Sequence, residues 1–265
     1  MADALIGHTG FVGRNLMASR HWDAVFNRGN LSALAGAEFD LLVCAGLPAQ
    51  KWLANRDPQA DEANMLRLSR TLDSVRARHF VLISTIDVYP DPVNVDEFSA
   101  IEPGVNHAYG EHRRQFELRV SEQFEHCHIL RLPAVFGPHL KKNVLFDLLN
   151  SNGLDSIQAH SEFQWYPVTR LADDIERTIE AGLSCANLFT EPLQTQRILS
   201  AFFPDVRVGA HASDPVRYRA ETRFGPVFGG DARFIMSADC VIESMRAWLD
   251  QRPVQPVPDQ VLAGV

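Results

Sequence analysis

Short apolar runs bounded by glycine or polar residues recur along the first half of the chain. Ala2–Ile6 stops at a glycine, Asp23–Asn27 is a second run, and Leu41–Ala45 lies between Asp40 and Gly46. Phe80–Ser84 and His128–Leu132 are of the same kind. Each is short and continuously apolar, the pattern of a strand buried on both faces. The stretches between them carry apolar residues at helical spacing. Val12–Ser19 and Tyr109–Phe124 predict helices, and from about Asp57 to Arg76 the residues Ala63, Leu66, Ser69, Leu72 and Val75 recur along one face. Strands alternating with helices of this length predict repeated β-α-β units, an α/β fold around a parallel sheet. Beyond Pro138 the pattern changes. Leu145–Leu149 and Leu171–Ala181 read as helical, whereas Pro204–Phe234 is rich in turn residues, among them Gly225, Pro226, Gly229 and Gly230. Pro253, Pro256 and Pro258 interrupt the last residues.

Composition narrows the class. The chain has 265 residues, 46% of them apolar and 22% charged, which is globular. Lys and Arg total 25 against 33 Asp and Glu, a net charge of −8 that argues against a nucleic-acid coat or a membrane-surface protein. No apolar run approaches the ~20 residues of a membrane span. The N-terminus has an acidic Asp3 and no basic residue before Arg14, unlike a signal peptide. Cys44, Cys127, Cys185 and Cys240 form no CxxC pair, so reduced, buried thiols and a cytoplasmic location are expected.

Gly7-His8-Thr9-Gly10-Phe11-Val12-Gly13 falls where the first strand meets the first helix. Glycines at this spacing allow a tight turn, close approach of a pyrophosphate to the backbone and close helix–strand packing. The helix N-terminus then offers free N–H groups to the phosphates. A dinucleotide is therefore expected here. The second strand ends in Asn27-Arg28-Gly29-Asn30, without the acid that often holds the adenosine ribose. A guanidinium at Arg28 suits a 2′-phosphate, which favours NADP over NAD; the alternative is a solvated loop arginine.

Further along, Cys44-Ala45-Gly46, Asn64, Ser84-Thr85 with Val88-Tyr89, Tyr109, and Arg131-Leu132-Pro133-Ala134-Val135-Phe136-Gly137-Pro138 follow one another. With the glycine turn, this order resembles the extended short-chain dehydrogenases/reductases, the nucleotide-sugar epimerase/dehydratase family. The resemblance runs to about Asn187, because Trp165–Ile175 is similar to another stretch of that family. It implies a Rossmann-like, doubly wound parallel sheet, a nicotinamide cofactor, and a small C-terminal lobe over the substrate. The expected division is a dinucleotide-binding core over 1–138, a mainly substrate-binding lobe over 139–252, and a flexible tail over 253–265. Later segments are free to return to the core. Ala45, Gly46, Asn64 and Pro133 join Gly7, Thr9, Gly10, Phe11, Val12, Gly13, Asn27 and Arg28 as cofactor-binding candidates.

In the same comparison Tyr109 is the acid/base, Thr85 hydrogen-bonds the reacting oxygen, and Arg113 stands where the family has lysine. Tyr109 and Arg113 would also touch the cofactor. A phenol titrating near ~10 must be acidified to exchange a proton near neutrality, and an adjacent cation does this. Arginine keeps the charge, but its planar fork does not sit as an ammonium does. Thr85-Ile86-Asp87 has isoleucine where relatives that dehydrate sugars carry an acid, which disfavours dehydration. Ala134 replaces an asparagine found in many relatives. The short span from Arg28 to Asp40 is similar to the family's sugar reductases.

Substrate candidates are Thr85, Asp87, Lys141, Lys142, Asn143 and Arg170, the last four for a diphosphate; the lysine pair also reads as a solvated turn. Asp173-Asp174 reads as a solvated helix face. His126-Cys127-His128 has metal-ligand residue types but no partner pair at usable spacing, so no metal is expected. The leading expectation is an NAD(P)-dependent oxidoreductase acting on a sugar, nucleotide-activated, by carbonyl reduction or by epimerisation through a transient ketone. A non-catalytic NADP-binding sensor and a reductase of a non-sugar carbonyl are the alternatives. No nucleic-acid or membrane partner is expected, and a homodimer is one of the assemblies left open.

Overall fold

In the computed structural model, which describes residues 2–252, the chain opens with β1 (Asp3–Ile6), α1 (Phe11–Ser19), β2 (Ala24–Phe26) and β3 (Glu38–Cys44). There follow α2 (Lys51–Arg56), α3 (Pro58–Leu72), β4 (Arg76–Thr85), α4 (Ala108–Gln123) and β5 (Cys127–Leu132). The later elements are β6 (Ala134–Phe136), α5 (Val144–Leu149), β7 (Glu162–Phe163), β8 (Trp165–Pro167) and α6 (Leu171–Glu180). The last are β9 (Cys185–Asn187), β10 (Leu193–Gln194), α7 (Thr195–Phe202) and α8 (Ala238–Asp250). The expected tail over 253–265 lies outside the described residues.

Six strands pair in parallel in the order β2-β1-β3-β4-β5-β9. This is the parallel sheet expected from the alternation of elements, in the doubly wound form that the family resemblance implies. Between β2 and β3 lie only residues 27–37, holding a single 3-10 turn at Leu31–Leu34. That span is too short for a helix and a further strand, so β2 is the edge of the sheet. The chain steps outward from β1 to β2 and then crosses to β3 on the other side of β1. Such a reversal opens a crevice at the carboxyl ends of the two inner strands, where α/β sheets bind ligands.

Both faces of the sheet are buried, and alternation along each strand assigns its side chains. Ala4, Ile6, Leu42, Cys44, Phe80 and Leu82 pack with Leu68 and Leu72 of α3 and with Phe116 and Val120 of α4. Leu5, Leu41, Val43, Val81, Ile83 and Leu130 pack on the opposite face with Leu16 of α1 and Leu171 and Ile175 of α6. Each such buried aliphatic side chain is worth roughly 1.5–3 kcal/mol over leaving it exposed. α3 starts sharply because Pro58 sits in its first turn and the Asp57 carboxylate accepts the Ala60 N–H at 3.1 Å.

Several expectations change. The helix predicted from Asp57 to Arg76 ends at Leu72, and Arg76 already begins β4, whose first residues pair with β3. Residues past Pro138 divide between two places, a return to the core that the expected division left open. α6 and β9 join the sheet core, whereas Leu145 of α5, Trp165 of β8, Ile198 of α7 and Val241 and Met245 of α8 gather in a separate cluster. All four cysteines are free; Cys44 and Cys127 are buried as expected, but Cys240 is exposed. No helix among the described residues is long and apolar enough to cross a membrane.

Candidate active site

The crevice at the ends of β1, β2 and β3 is a cavity of about 460 Å³. Gly7, Thr9 and Gly10 line it from the first turn, Asn27 and Arg28 from beyond β2, Ala45 and Gly46 from beyond β3, and Asn64 from α3. Gly7 has a φ of +89°, and a Cβ there would stand 2.4 Å from the Ala45 carbonyl oxygen, so only glycine fits. Gly13 is buried at the contact between α1 and this turn and does not line the cavity. α1 begins at Gly10 with no side-chain cap and no acid in its first turn. Its leading N–H groups and partial positive charge therefore suit a phosphate. Among the described residues no carboxylate lines this cavity, whereas two arginines do, Arg28 and Arg67 of α3. Arg67 escaped the sequence reading; it donates to the Asn64 side chain at 2.6 Å. The residues present thus fit a dinucleotide with a phosphorylated ribose.

A second cavity of about 640 Å³ continues from the first, sharing Gly10, Ala45, Leu47 and Pro48. Phe11, Val12, Thr85, Asp87, Tyr109, Arg113 and Pro133 line it, as do Lys141, Lys142 and Asn143. Tyr109 sits in the first turn of α4, which is capped by the His107 ring nitrogen accepting the Gly110 N–H at 3.0 Å. Asn55 of α2 accepts the Tyr109 N–H at 3.0 Å. Gly110 lets α4 reach the turn after β4, since a Cβ there would lie 2.1 Å from the Asp87 carbonyl oxygen. Thr85 Oγ1 accepts the Asp87 N–H at 3.2 Å, and its hydroxyl stands beside that of Tyr109. Burial raises the Tyr109 phenol above its ordinary pKa, and the Arg113 guanidinium opposes but does not overcome this. Burial thus works against the acidification of Tyr109 expected from the sequence, and Arg113 works towards it.

Arg113 does not behave as a free cation. It is 1% exposed and forks onto Asp61 of α3, itself 5% exposed. Lys51, another residue the sequence reading passed over, donates to Asp87 at 2.7 Å and to the Tyr218 hydroxyl at 3.2 Å. Tyr218 also donates to Asp87 at 3.0 Å, so three distant segments meet on one carboxylate. Burial works against the Lys51 charge, but Asp87 and Tyr218 raise its pKa overall, so it remains an ammonium. Ile86, at the position where an acid is missing, is buried among Val88, Tyr89 and Phe189.

The remaining candidates separate. Lys142 reaches across the cavity to the Ala49 carbonyl, and burial lowers its pKa. Asn143 caps α5 through the Phe146 N–H at 3.1 Å and donates to the Val135 carbonyl at 2.9 Å, which occupies its side chain. Arg170 is not brought to either cavity: it forks onto Asp174 at 2.6 and 2.9 Å and donates to the Phe228 carbonyl. Asp174, expected on a solvated face, is fully buried. His128 is buried, with its ring bonded to the Leu183 carbonyl and to His79. Among the described residues no group of three or more His, Cys, Asp or Glu is placed to hold a metal ion.

Behind the cavity lies an ionic network. Glu117 of α4 accepts from Arg131 of β5 at 2.7 and 3.0 Å, from Ser84 of β4 at 2.6 Å and from Arg114 at 2.9 Å. Arg131 also donates to the Tyr89 hydroxyl at 2.7 Å, which Asn187 of β9 contacts at 3.0 Å. Ser84, Tyr89 and Arg131, which helped carry the family resemblance, thus meet as structural partners.

No family model matches the chain, and no curated protein does. Solved structures do. A dTDP-4-dehydrorhamnose reductase from Bacillus anthracis, in complex with NADP, shares 14% identity with a TM-score of 0.71, over 95% of this chain and 99% of that one. A UDP-N-acetylglucosamine 4-epimerase from Methanobrevibacter ruminantium, in complex with UDP-N-acetylmuramic acid, shares 14% identity with a TM-score of 0.70, over 94% and 98%. An NAD-dependent NDP-hexosamine 5,6-dehydratase involved in tunicamycin biosynthesis shares 18% identity with a TM-score of 0.70, over 96% and 99%. What this chain shares with these neighbours is the fold, a Rossmann-like parallel sheet flanked by helices.

Proposed function

We propose that the chain is an NAD(P)-dependent oxidoreductase acting on a nucleotide-activated sugar, with NADP preferred and with carbonyl reduction as the reaction. The observation that carries this reading is the continuity of the two cavities, which leads from Arg28 and Arg67 past the glycine turn to Tyr109 and Thr85. The neighbours named above with NADP and with a UDP-sugar support it. Gly7, Thr9, Gly10 and the first N–H groups of α1 would hold the pyrophosphate, Arg28 and Arg67 the 2′-phosphate, and Ala45, Gly46, Asn64 and Pro133 the remainder. The nicotinamide, when bound, would supply a hydride to the carbonyl carbon.

The chain's own residues handle the proton and the orientation. Thr85 and Tyr109 hydrogen-bond the substrate oxygen, and Tyr109 gives it a proton. A phenol that burial keeps protonated suits that direction better than proton removal, which favours reduction over the oxidative half of an epimerisation. Lys51 and Asp87 offer a donor and an acceptor to sugar hydroxyls on the same wall. Dehydration is disfavoured, because Ile86 is packed in an apolar cluster where elimination would need an acid. The environment of Arg113 favours a second reading, an NADP-binding sensor without turnover, since its terminal N–H groups are taken by Asp61 and by the Tyr109 and Pro48 carbonyls.

Fluorescence titration with NADPH and NADH tests the cofactor. NADPH is expected to bind more tightly, and Arg28→Ala or Arg67→Ala to weaken it about ten- to hundredfold, a loss of roughly 1.5–3 kcal/mol per charge-assisted contact, with little change for NADH. Equal affinities would remove the phosphate assignment. NADPH oxidation across a panel of nucleotide ketosugars then separates enzyme from sensor. With a turned-over sugar nucleotide, replacing Lys141 and Lys142 together by alanine is expected to raise KM with kcat little changed, and the penalty should shrink in high salt. An unaltered KM at low salt would make the pair a solvated turn.

A further inference from the structure

Arg113 has an environment that a lysine could not share. Its two terminal nitrogens carry four hydrogens, and all four are engaged. One nitrogen donates to Asp61 Oδ2 and, at 3.1 Å, to the Tyr109 carbonyl; the other donates to Asp61 Oδ1 at 2.9 Å and to the Pro48 carbonyl at 2.7 Å. The guanidinium carbon lies 3.8 Å from the centroid of the Tyr109 ring, a contact attractive through the ring's quadrupole. Asp61 receives a further hydrogen bond from His112 Nδ1 at 2.8 Å. Burial would raise the Asp61 carboxyl, yet Arg113 and His112 hold it below its ordinary pKa, so it is an anion.

We propose that Asp61 is a positioning residue for Tyr109: by gripping both ends of the Arg113 fork, it seats the guanidinium over the phenol ring and offsets part of its charge. A carboxylate two-point grip fixes the plane of a guanidinium as no single contact can. That plane fixes the ring resting on it. The charges acting on the ring are those of Arg113 with its partner Asp61, Lys51 from α2 and Asp87 from the turn after β4, while Lys142 lines the same cavity and acts on Asp87 and Arg113. His107 accepts a backbone N–H through its ring and so is neutral, its pKa lowered chiefly by burial. Lys51 and Asp87 offset each other, which leaves the Arg113–Asp61 pair as the adjustable charge under Tyr109. The importance of this seat rests on the reading of Tyr109 as the proton donor; the seat itself does not.

The experiment is a ¹⁹F NMR titration of the full chain labelled with 3-fluorotyrosine, which lowers every phenol's pKa and gives each of the 4 tyrosines its own signal. The signal missing from Tyr109→Phe identifies the residue. In Asp61→Asn the Tyr109 midpoint is expected to fall by about one pH unit, tenfold in the equilibrium, because the guanidinium charge is no longer offset. Its resonance should also broaden or split as the ring loses its seat. Asp61→Glu, which keeps the charge, should restore the midpoint. In the paired replacement Asp61→Leu with Arg113→Met, which removes both charges and fits an apolar interior, the midpoint should not fall below the wild-type value. That pair carries the test if Asp61→Asn does not fold. A folded Asp61→Asn whose Tyr109 titrates at or above the wild-type midpoint overturns the proposal. So does a paired variant whose midpoint falls as far as is expected of Asp61→Asn, because the guanidinium would then not be the charge that Asp61 offsets. No substrate or cofactor enters the titration, so the oxidoreductase reading and the Asp61 proposal fail separately.

Discussion

Glu117→Ala is expected to lower stability by about 3–5 kcal/mol, the cost of leaving a buried charge without its partner. The carboxylate is 0% exposed and takes four hydrogen bonds, two of them from Arg131, which is itself 3% exposed. Without it, Arg131 keeps only the Tyr89 hydroxyl among these partners, in an interior where water does not substitute. The loss should appear in thermal unfolding as a fall in Tm of about 10 °C. Replacing both members, Glu117→Leu with Arg131→Met, should recover most of it. The pH dependence has a definite sign. Burial would raise the Glu117 carboxyl, but Arg131 and the hydrogen bonds hold its folded pKa below the ordinary value. Its contribution is therefore fully present above the unfolded value near ~4.3 and is lost as the pH falls through the lower folded one. A loss below about 1 kcal/mol for Glu117→Ala would mean that the pair behaves like an exposed one.

Tyr109→Phe is expected to cut turnover about 10²–10⁴-fold while leaving NADPH affinity nearly unchanged. The substitution removes one hydroxyl and keeps the ring that rests on Arg113, so a kinetic effect is separable from a packing effect. The pH profile of reduction adds a second check. Because Tyr109 is raised and must be protonated to act, its activity should persist through neutrality and decline only as the pH rises past its raised value. Wild-type turnover in Tyr109→Phe would assign the proton to another group in the cavity.

The elements that position the site were legible because they obey local rules. The apolar runs of β1, β3, β4 and β5 carry their burial in their own residues, and the glycine turn announces the strand–helix junction. The site's polar partners were not legible, because each depends on contacts far apart in sequence. Lys51, Asp87 and Tyr218 come from α2, the turn after β4 and a segment near the end of the chain. Asp61 sits on α3 as one acid among the polar residues of an amphipathic pattern, and only the α3–α4 packing turns it toward Arg113. Arg170 shows the converse: read as a ligand for phosphate, it is claimed by Asp174 within its own helix start. α2 is short and follows Pro48 without periodicity, so nothing local marked it as a helix.

The shortened connection after β2 has a consequence for how copies of this chain behave at high concentration. It leaves the three residues of β2 as one margin of the sheet, and the three residues of β9 form the other. A margin invites an incoming strand through its unpaired N–H and carbonyl groups, and the invitation scales with its length. Three residues present too few such groups in register to template an added strand, so both margins of this sheet are poor seeds for edge-to-edge aggregation.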